Sequence, residues 1–250
     1  MKKLVFILSL FFSVTFNAQT AEKLFAEANE FYKNADYNKA IELYQNIEKQ
    51  QLISADLYFN LGNCYYKLNK VAPSIYYYEK ALKLDPTNND AITNLAFAKR
   101  MTIDVIEDLP KTFFQRFSAA TIQKLPFDTW AVIAVIASFI TAVFFLIYYF
   151  SGSSKKKLLF FNSSILALFV MLISLFFAFS AHKIEQNNRT AIIFAPKTVI
   201  KNAPTKSGDE IFELHEGTKV IVLDELDNWK KIKIADGKTG WILTDDLKEI

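Results

Sequence analysis

The sequence has few of the residues that usually carry chemistry. It has a single cysteine, Cys64, which excludes an intramolecular disulfide and a cysteine-based zinc site. The spacing around Cys64 places it on a helix as a small buried residue. The two histidines, His182 and His215, are far apart and have no ligand-type neighbours at metal-binding spacing, so neither a metal site nor a nucleophilic triad is expected. Six glycines are too few and too scattered for a phosphate-cradling loop. No catalytic residue, metal or cofactor is expected, and the chain reads as a non-enzyme.

Charge of one sign is also scarce. The formal net charge is +3, yet residues 21–106 and residues 189–250 each carry 10 basic and 11 acidic side chains. The excess lies at Lys2-Lys3 and Lys155-Lys156-Lys157. Neither polar region presents a field that would gather phosphates, which excludes a nucleic-acid partner.

Long apolar runs, by contrast, are present. Thr129–Phe150 is 22 residues without a charge and Leu158–Ala181 is 24. At about 1.5 Å rise per residue, each reaches the roughly 30 Å of a bilayer core. Residues 129–150 and 158–181 are therefore expected to be transmembrane helices 1 and 2, joined by a loop over 151–157. Asn162, Ser163, Ser164, Ser174 and Ser180, the polar residues of the second run, suit helix–helix packing.

Residues 1–18 have the form of a secretory signal: Lys2-Lys3, the apolar stretch Leu4–Phe16, and Asn17-Ala18-Gln19 as a cleavage region. Export places the following residues outside the cytoplasm. Independently, the three lysines of a short loop are expected to stay inside. Both arguments give a multi-pass protein of the cytoplasmic (inner) membrane, with a cytoplasmic loop at 151–157 and both polar regions on the periplasmic side. Trp130, Tyr148 and Tyr149 fall at span ends, where amphipathic rings favour the interface.

Residues 19–106 contain an internal repeat. A shift of 34 residues places Ala21–Ser54 on Ala55–Asn88: Leu24 on Tyr58, Ala28 on Gly62, Phe31 on Tyr65, Tyr32 on Tyr66, Lys33 on Lys67, Ile41 on Ile75 and Tyr44 on Tyr78. Each unit reads as two amphipathic helices with a break near Ala35-Asp36 or Asn69-Lys70. Ala28, Gly62, Ala40 and Ser74 fall where two helices would cross closely, and Pro86 ends the second unit. Residues 89–105, with Ile92, Leu95 and Ala96 in register, form a capping helix.

This pattern resembles the tetratricopeptide repeat family. Tyr58, Leu61, Gly62, Tyr65, Tyr78, Ala81 and Pro86 stand at the family's spacing, while the first unit has Asp36-Tyr37 and Ala40 but Leu52 in place of the proline. The resemblance implies an all-α solenoid whose concave face binds proteins or peptides. That face would be lined by Phe25, Asn29, Tyr32, Lys33, Phe59, Asn60, Asn63, Tyr66, Lys67, Asn94 and Phe97. Asn29 and Asn60 match two positions of the family's carboxylate clamp, but Phe25, Asp90 and Asn94 stand where cations are needed. The groove is therefore aromatic and amide-lined. Residues 107–128 form an amphipathic linker in which Phe113, Phe114, Phe117, Ile122 and Leu125 make one apolar face. That face suits either the membrane surface or the solenoid.

After residue 188 the period becomes two. Strand-like runs at 191–194, 198–201, 218–223, 229–234 and 240–243 are separated by turn signals at Pro196, Pro204, Gly208, Glu216-Gly217, Asp227-Asn228 and Asp236-Gly237. Five short strands predict a small closed or nearly closed barrel over residues 189–250. Phe212–Val220, with Trp229-Lys230-Lys231-Ile232 and Asp236–Ile242, resembles bacterial SH3-like domains, which implies a cell-wall ligand. Trp229 and Trp241 are the candidates either for such a groove or for the core.

The expected architecture is thus multidomain: an all-α tetratricopeptide repeat solenoid, a two-helix transmembrane hairpin and a small all-β SH3-like barrel. This domain order resembles the E-type proteins of the Bacteroides aerotolerance (Bat) group. The resemblance implies a membrane-anchored envelope scaffold working with von Willebrand A-type membrane proteins and a MoxR-type ATPase. The alternative is a cell-wall sensor or peptidoglycan-binding protein acting through the SH3-like region.

Overall fold

The computed structural model describes residues 21–107, 109–110, 112–187 and 189–250. The signal-peptide reading of residues 1–18 lies outside them. The chain divides into two compact units: one combines the described residues up to Glu107 with Thr190–Ile250, and the other comprises the residues between.

The first unit begins with five helices: α1 (helical over residues 21–33), α2 (Tyr37–Lys49), α3 (Ala55–Lys67), α4 (Val71–Leu84) and α5 (Asn89–Lys99). The 34-residue period is visible in the backbone. Ala35 and Asn69 both adopt positive φ, at 60° and 56°, and turn the chain from the first to the second helix of each unit. The same turns place Asp36 N on Phe31 O and Lys70 N on Tyr65 O, both at 2.9 Å, satisfying carbonyls at the helix ends. Side-chain caps start the helices: Ser54 accepts from Leu57 N and Asn88 from Ala91 N.

Ala28, Ala40 and Ser74 are fully buried, and Gly62 is buried at a helix crossing. A Cβ at Gly62 would lie 2.6 Å from Cδ1 of Tyr78, so the absent side chain is what admits the tyrosine ring. Cys64 is fully buried on α3. In α5 the inward residues are Ala91, Leu95 and Ala98, while Ile92 is 46% exposed and Ala96 is exposed. The buried stripe of α5 follows 91, 95 and 98, the helical i, i+4, i+7 spacing, while Ile92 and Ala96, 34 residues after Tyr58 and Gly62, lie on its exposed side.

The strands of this unit are β1 (Thr190–Ile193), β2 (Lys197–Lys201), β3 (Glu210–His215), β4 (Lys219–Leu226), β5 (Trp229–Lys233), β6 (Thr239–Leu243) and β7 (Leu247–Glu249). They form one antiparallel sheet in the order β3-β2-β6-β5-β4-β1-β7. Alternation sends Ile232 of β5 and Ile242 of β6 into a core shared with Ile193, Ile200, Val220 and Val222. Two features depart from the sequence reading. β3 and β7 are additional strands, and the barrel is not closed, since β3 and β7 are edges with no ladder between them.

The sheet also packs against the helices. Ile192 of β1 is fully buried in a cluster with Ala72, Ile75 and Tyr78 of α4 and Leu95 and Ala98 of α5. Ile106, from the segment after α5, packs on the core of the sheet. The repeat and the sheet therefore share apolar surface, and each completes the other.

The second unit holds α6 (Phe113–Ala120), a 3₁₀ turn (Ile122–Lys124), α7 (Phe127–Phe150) and α8 (Ser154–Asn187). α7 and α8 are both long and apolar enough to cross a membrane. They pack as a hairpin through small residues, with Ala134, Ala137, Ser164, Ser174, Ala178 and Ala181 all buried. Asn162 is exposed. Trp130 meets Phe177 edge-on at 5.0 Å and Phe144 meets Phe160 at 5.8 Å. The connection is tighter than the loop expected over 151–157. Helix α8 starts at Ser154, so Lys155, Lys156 and Lys157 occupy its first turn, with Lys157 N bonded to Ser153 O at 2.9 Å. Lysine is a good helix former, which favours the extension, while three cations at a helix N-terminus oppose the macrodipole.

Candidate functional site

The repeat places aromatic and amide side chains in register, and a hydrogen-bond ladder with the same 34-residue period fixes them. In the first unit the Tyr44 hydroxyl donates to Asn29 Oδ1 at 2.5 Å, and Asn60 Nδ2 donates to the same oxygen at 3.3 Å. In the second unit the Tyr78 hydroxyl donates to Asn63 Oδ1 at 2.6 Å, and Asn94 Nδ2 joins it at 2.8 Å. Each rung thus ties the first helix of one unit, the second helix of that unit and the first helix of the next. Tyr44 and Tyr78 are fully buried, and burial pushes both phenols well above their ordinary pKa. They serve as neutral donors.

Six of the eleven residues expected on the concave face converge: Tyr32, Asn63, Tyr66, Lys67, Asn94 and Phe97 line one depression of about 200 Å³. Lys67 supplies the one cation among these six. The second rung holds the amides of Asn63 and Asn94 in fixed orientation along its lining, and Phe97, 45% exposed, adds an apolar ring. The arrangement offers amide hydrogen bonding, ring faces and one positive charge. These groups suit hydrogen bonding to, and apolar contact with, an extended polypeptide.

The other expected residues are placed differently. Phe25 and Asn29 line a separate depression with Leu52, Ile53 and Leu57. Asn60 is bonded to Asn29, and Phe59 packs on Tyr78 with ring centroids 6.1 Å apart. Lys33 is ion-paired with Glu30 at 2.7 Å on the exposed surface and is not among the residues lining the groove. Tyr44 and Tyr78 are the supports that reading the concave face alone missed, although their alignment at the repeat period was the available signal.

On the sheet, Trp229 and Trp241 are half-buried and lie outside the buried core cluster. They face the side opposite Ile232 and Ile242. Trp241 has Lys231 of β5 as its cross-strand partner on one side and Lys201 of β2 on the other.

A second polar constellation joins the helices to the sheet. Glu79 of α4, 9% exposed, pairs with Lys219 of β4 at 2.6 Å and Lys99 of α5 at 3.0 Å. Burial opposes its ionisation, but the two ammonium groups and their hydrogen bonds outweigh that and hold the carboxyl below its ordinary value. Asp104 accepts from His215 N at 2.7 Å and from the Thr218 hydroxyl at 2.6 Å, with His215 Nδ1 2.7 Å away. Burial again raises and these donors lower its pKa, which stays below the usual carboxylate range. The hydroxyl faces the carboxylate rather than the ring, so the trio is a clasp rather than a nucleophilic relay. Gly217, at φ +87°, sits under Thr102, Val71 and Ile75, where a Cβ would come within 3.1 Å of all three.

A search of curated proteins returned no match. The tetratricopeptide repeat family and the bacterial SH3 domain family are typically non-catalytic binding modules, and their models match residues 55–88 and residues 198–248 of this chain, respectively.

Proposed function

We propose that this protein is a non-enzymatic, membrane-anchored envelope scaffold that captures partner proteins in the groove of its repeat. The observation that carries this reading is the preorganised depression lined by Tyr32, Asn63, Tyr66, Lys67, Asn94 and Phe97. Its amides are fixed before any ligand arrives, which lowers the entropy cost of binding a peptide. The two apolar helices supply the anchor, with both polar regions on the periplasmic side and the Lys155–Lys157 turn inside. The resemblance to the E-type proteins of the Bacteroides aerotolerance group supports partners of the von Willebrand A-type membrane class and a role in a stress-related complex.

A second reading has its own observation: Trp241, flanked by Lys201 and Lys231 on the outer side of the sheet, fits a cell-wall ligand of the bacterial SH3 domain. Full-length protein purified in detergent separates the two. Co-purifying proteins are expected to drop several-fold in a Tyr66→Ala/Asn94→Ala variant and to persist in Trp241→Ala. If the groove variant keeps every partner while Trp241→Ala loses binding to isolated sacculi, the scaffold reading fails. Topology is tested at Ser153: a Ser153→Cys thiol should resist impermeant maleimide applied to intact cells, and labelling there would reverse the orientation.

A further inference from the structure

Helix α6 spans eight residues, Phe113–Ala120, and carries one charge, Arg116. At about 100° per residue, Phe113, Phe114 and Phe117 fall within roughly 100° of its circumference. Phe113 is 76% exposed, Phe114 is 80% and Phe117 is 48%, so within its own unit and among the described residues the apolar stripe is uncovered. A folding accident would be frayed at this length. Instead the helix has a full capping box: Thr112 Oγ1 accepts from Gln115 N at 3.3 Å, and Gln115 Oε1 accepts from Thr112 N at 2.9 Å.

Its position is set by the connector to α7. Residues 121–126 join the two helices and reach at most about 20 Å when extended. The connector is pinned as well as short: Ile122 is 8% exposed, and Trp130, in the first turn of α7, donates its indole N–H to Ile122 O at 2.9 Å. A tryptophan at the end of a long apolar helix marks the headgroup level of a bilayer. The stripe therefore lies within one connector's reach of that level.

We infer that α6 is an interfacial anchor whose Phe113, Phe114 and Phe117 insert at the headgroup–acyl boundary of the same membrane that α7 crosses. The inference rests on the spanning reading of α7. A lipid surface fits better than a second copy of the chain, because three phenylalanines offer about 450–750 Å² in all. A stable protein interface uses about 800 Å² per partner.

Nitroxide labels on full-length protein in phosphatidylethanolamine/phosphatidylglycerol vesicles test this. The labelled positions are Phe114→Cys, Phe117→Cys, the opposite-face Ala119→Cys and the mid-span Val143→Cys. Cys64, fully buried, leaves the parent chain unlabelled as a blank. Collision with oxygen is expected to exceed collision with a water-soluble nickel chelate at 114 and 117, with the order inverted at 119. Nickel-dominated relaxation at 114 and 117, or protection there from both reagents by a protein neighbour, overturns the inference. Lipid exposure at 143 with water at 114 overturns it alone; water at both positions removes the spanning reading as well.

Discussion

Replacing Glu79 with glutamine tests whether the repeat and the sheet are held together by one buried charge. The carboxylate is 9% exposed and binds Lys219 at 2.6 Å and Lys99 at 3.0 Å, while the two lysine side chains are 38% and 47% exposed. Breaking a fully buried pair costs about 3–5 kcal/mol. An exposed pair is worth about 0.2–1 kcal/mol. With one partner buried and two half in water, Glu79→Gln should cost about 1–2 kcal/mol. The sign with pH follows from the lowered carboxyl pKa. The contribution is complete above the ordinary glutamate value of 4.5 and is lost as pH falls through the lower folded value. The assay is a denaturant titration of wild type, Glu79→Gln, Lys219→Gln and the double variant in detergent, followed by near-UV circular dichroism between pH 7 and pH 3. The cycle should return a coupling of about 1 kcal/mol at pH 7 that shrinks toward zero at the acid end. A coupling near zero at neutral pH, or one unchanged by acid, would refute the reasoning.

Gly217→Ala should destabilise the same junction by about 2–4 kcal/mol, from a left-handed backbone and from overpacking against Thr102, Val71 and Ile75, read as a lower denaturation midpoint. Asn63→Ala removes the acceptor shared by the Tyr78 hydroxyl and Asn94 amide and should cost about 1–3 kcal/mol, with groove binding lost in the same variant. The thiol of Cys64, fully buried and pushed up by that burial to about 12, should react with a disulfide reagent at pH 8 only after denaturant opens the repeat. Rapid labelling of native protein would contradict the packing of α3.

Much of the helical part was legible because its information is local. A period of 34 placed Tyr44 on Tyr78 and Ala28 on Gly62, and the backbone repeats its positive φ at Ala35 and Asn69. Six of the eleven residues expected on the concave face line one depression. Lys33 is not among the residues lining that depression and pairs with Glu30 on the exposed surface. The sheet was less readable at β3 and β7: β3 (Glu210–His215) exposes the apolar Ile211 while Phe212 and Leu214 turn inward, which blurs its period in the sequence, and β7 is three residues long.

The repeat, the two long apolar helices and most of the strands could be read from the chain because each leaves a periodic or compositional pattern along it. That the repeat and the sheet form one unit emerges from the folded chain. Its joints, Glu79 with Lys219 and Asp104 with His215, are 140 and 111 residues apart along the chain. No periodicity links such residues. The burial of Ile192 among α4 and α5 is of the same kind, a contact that strand alternation does not reveal.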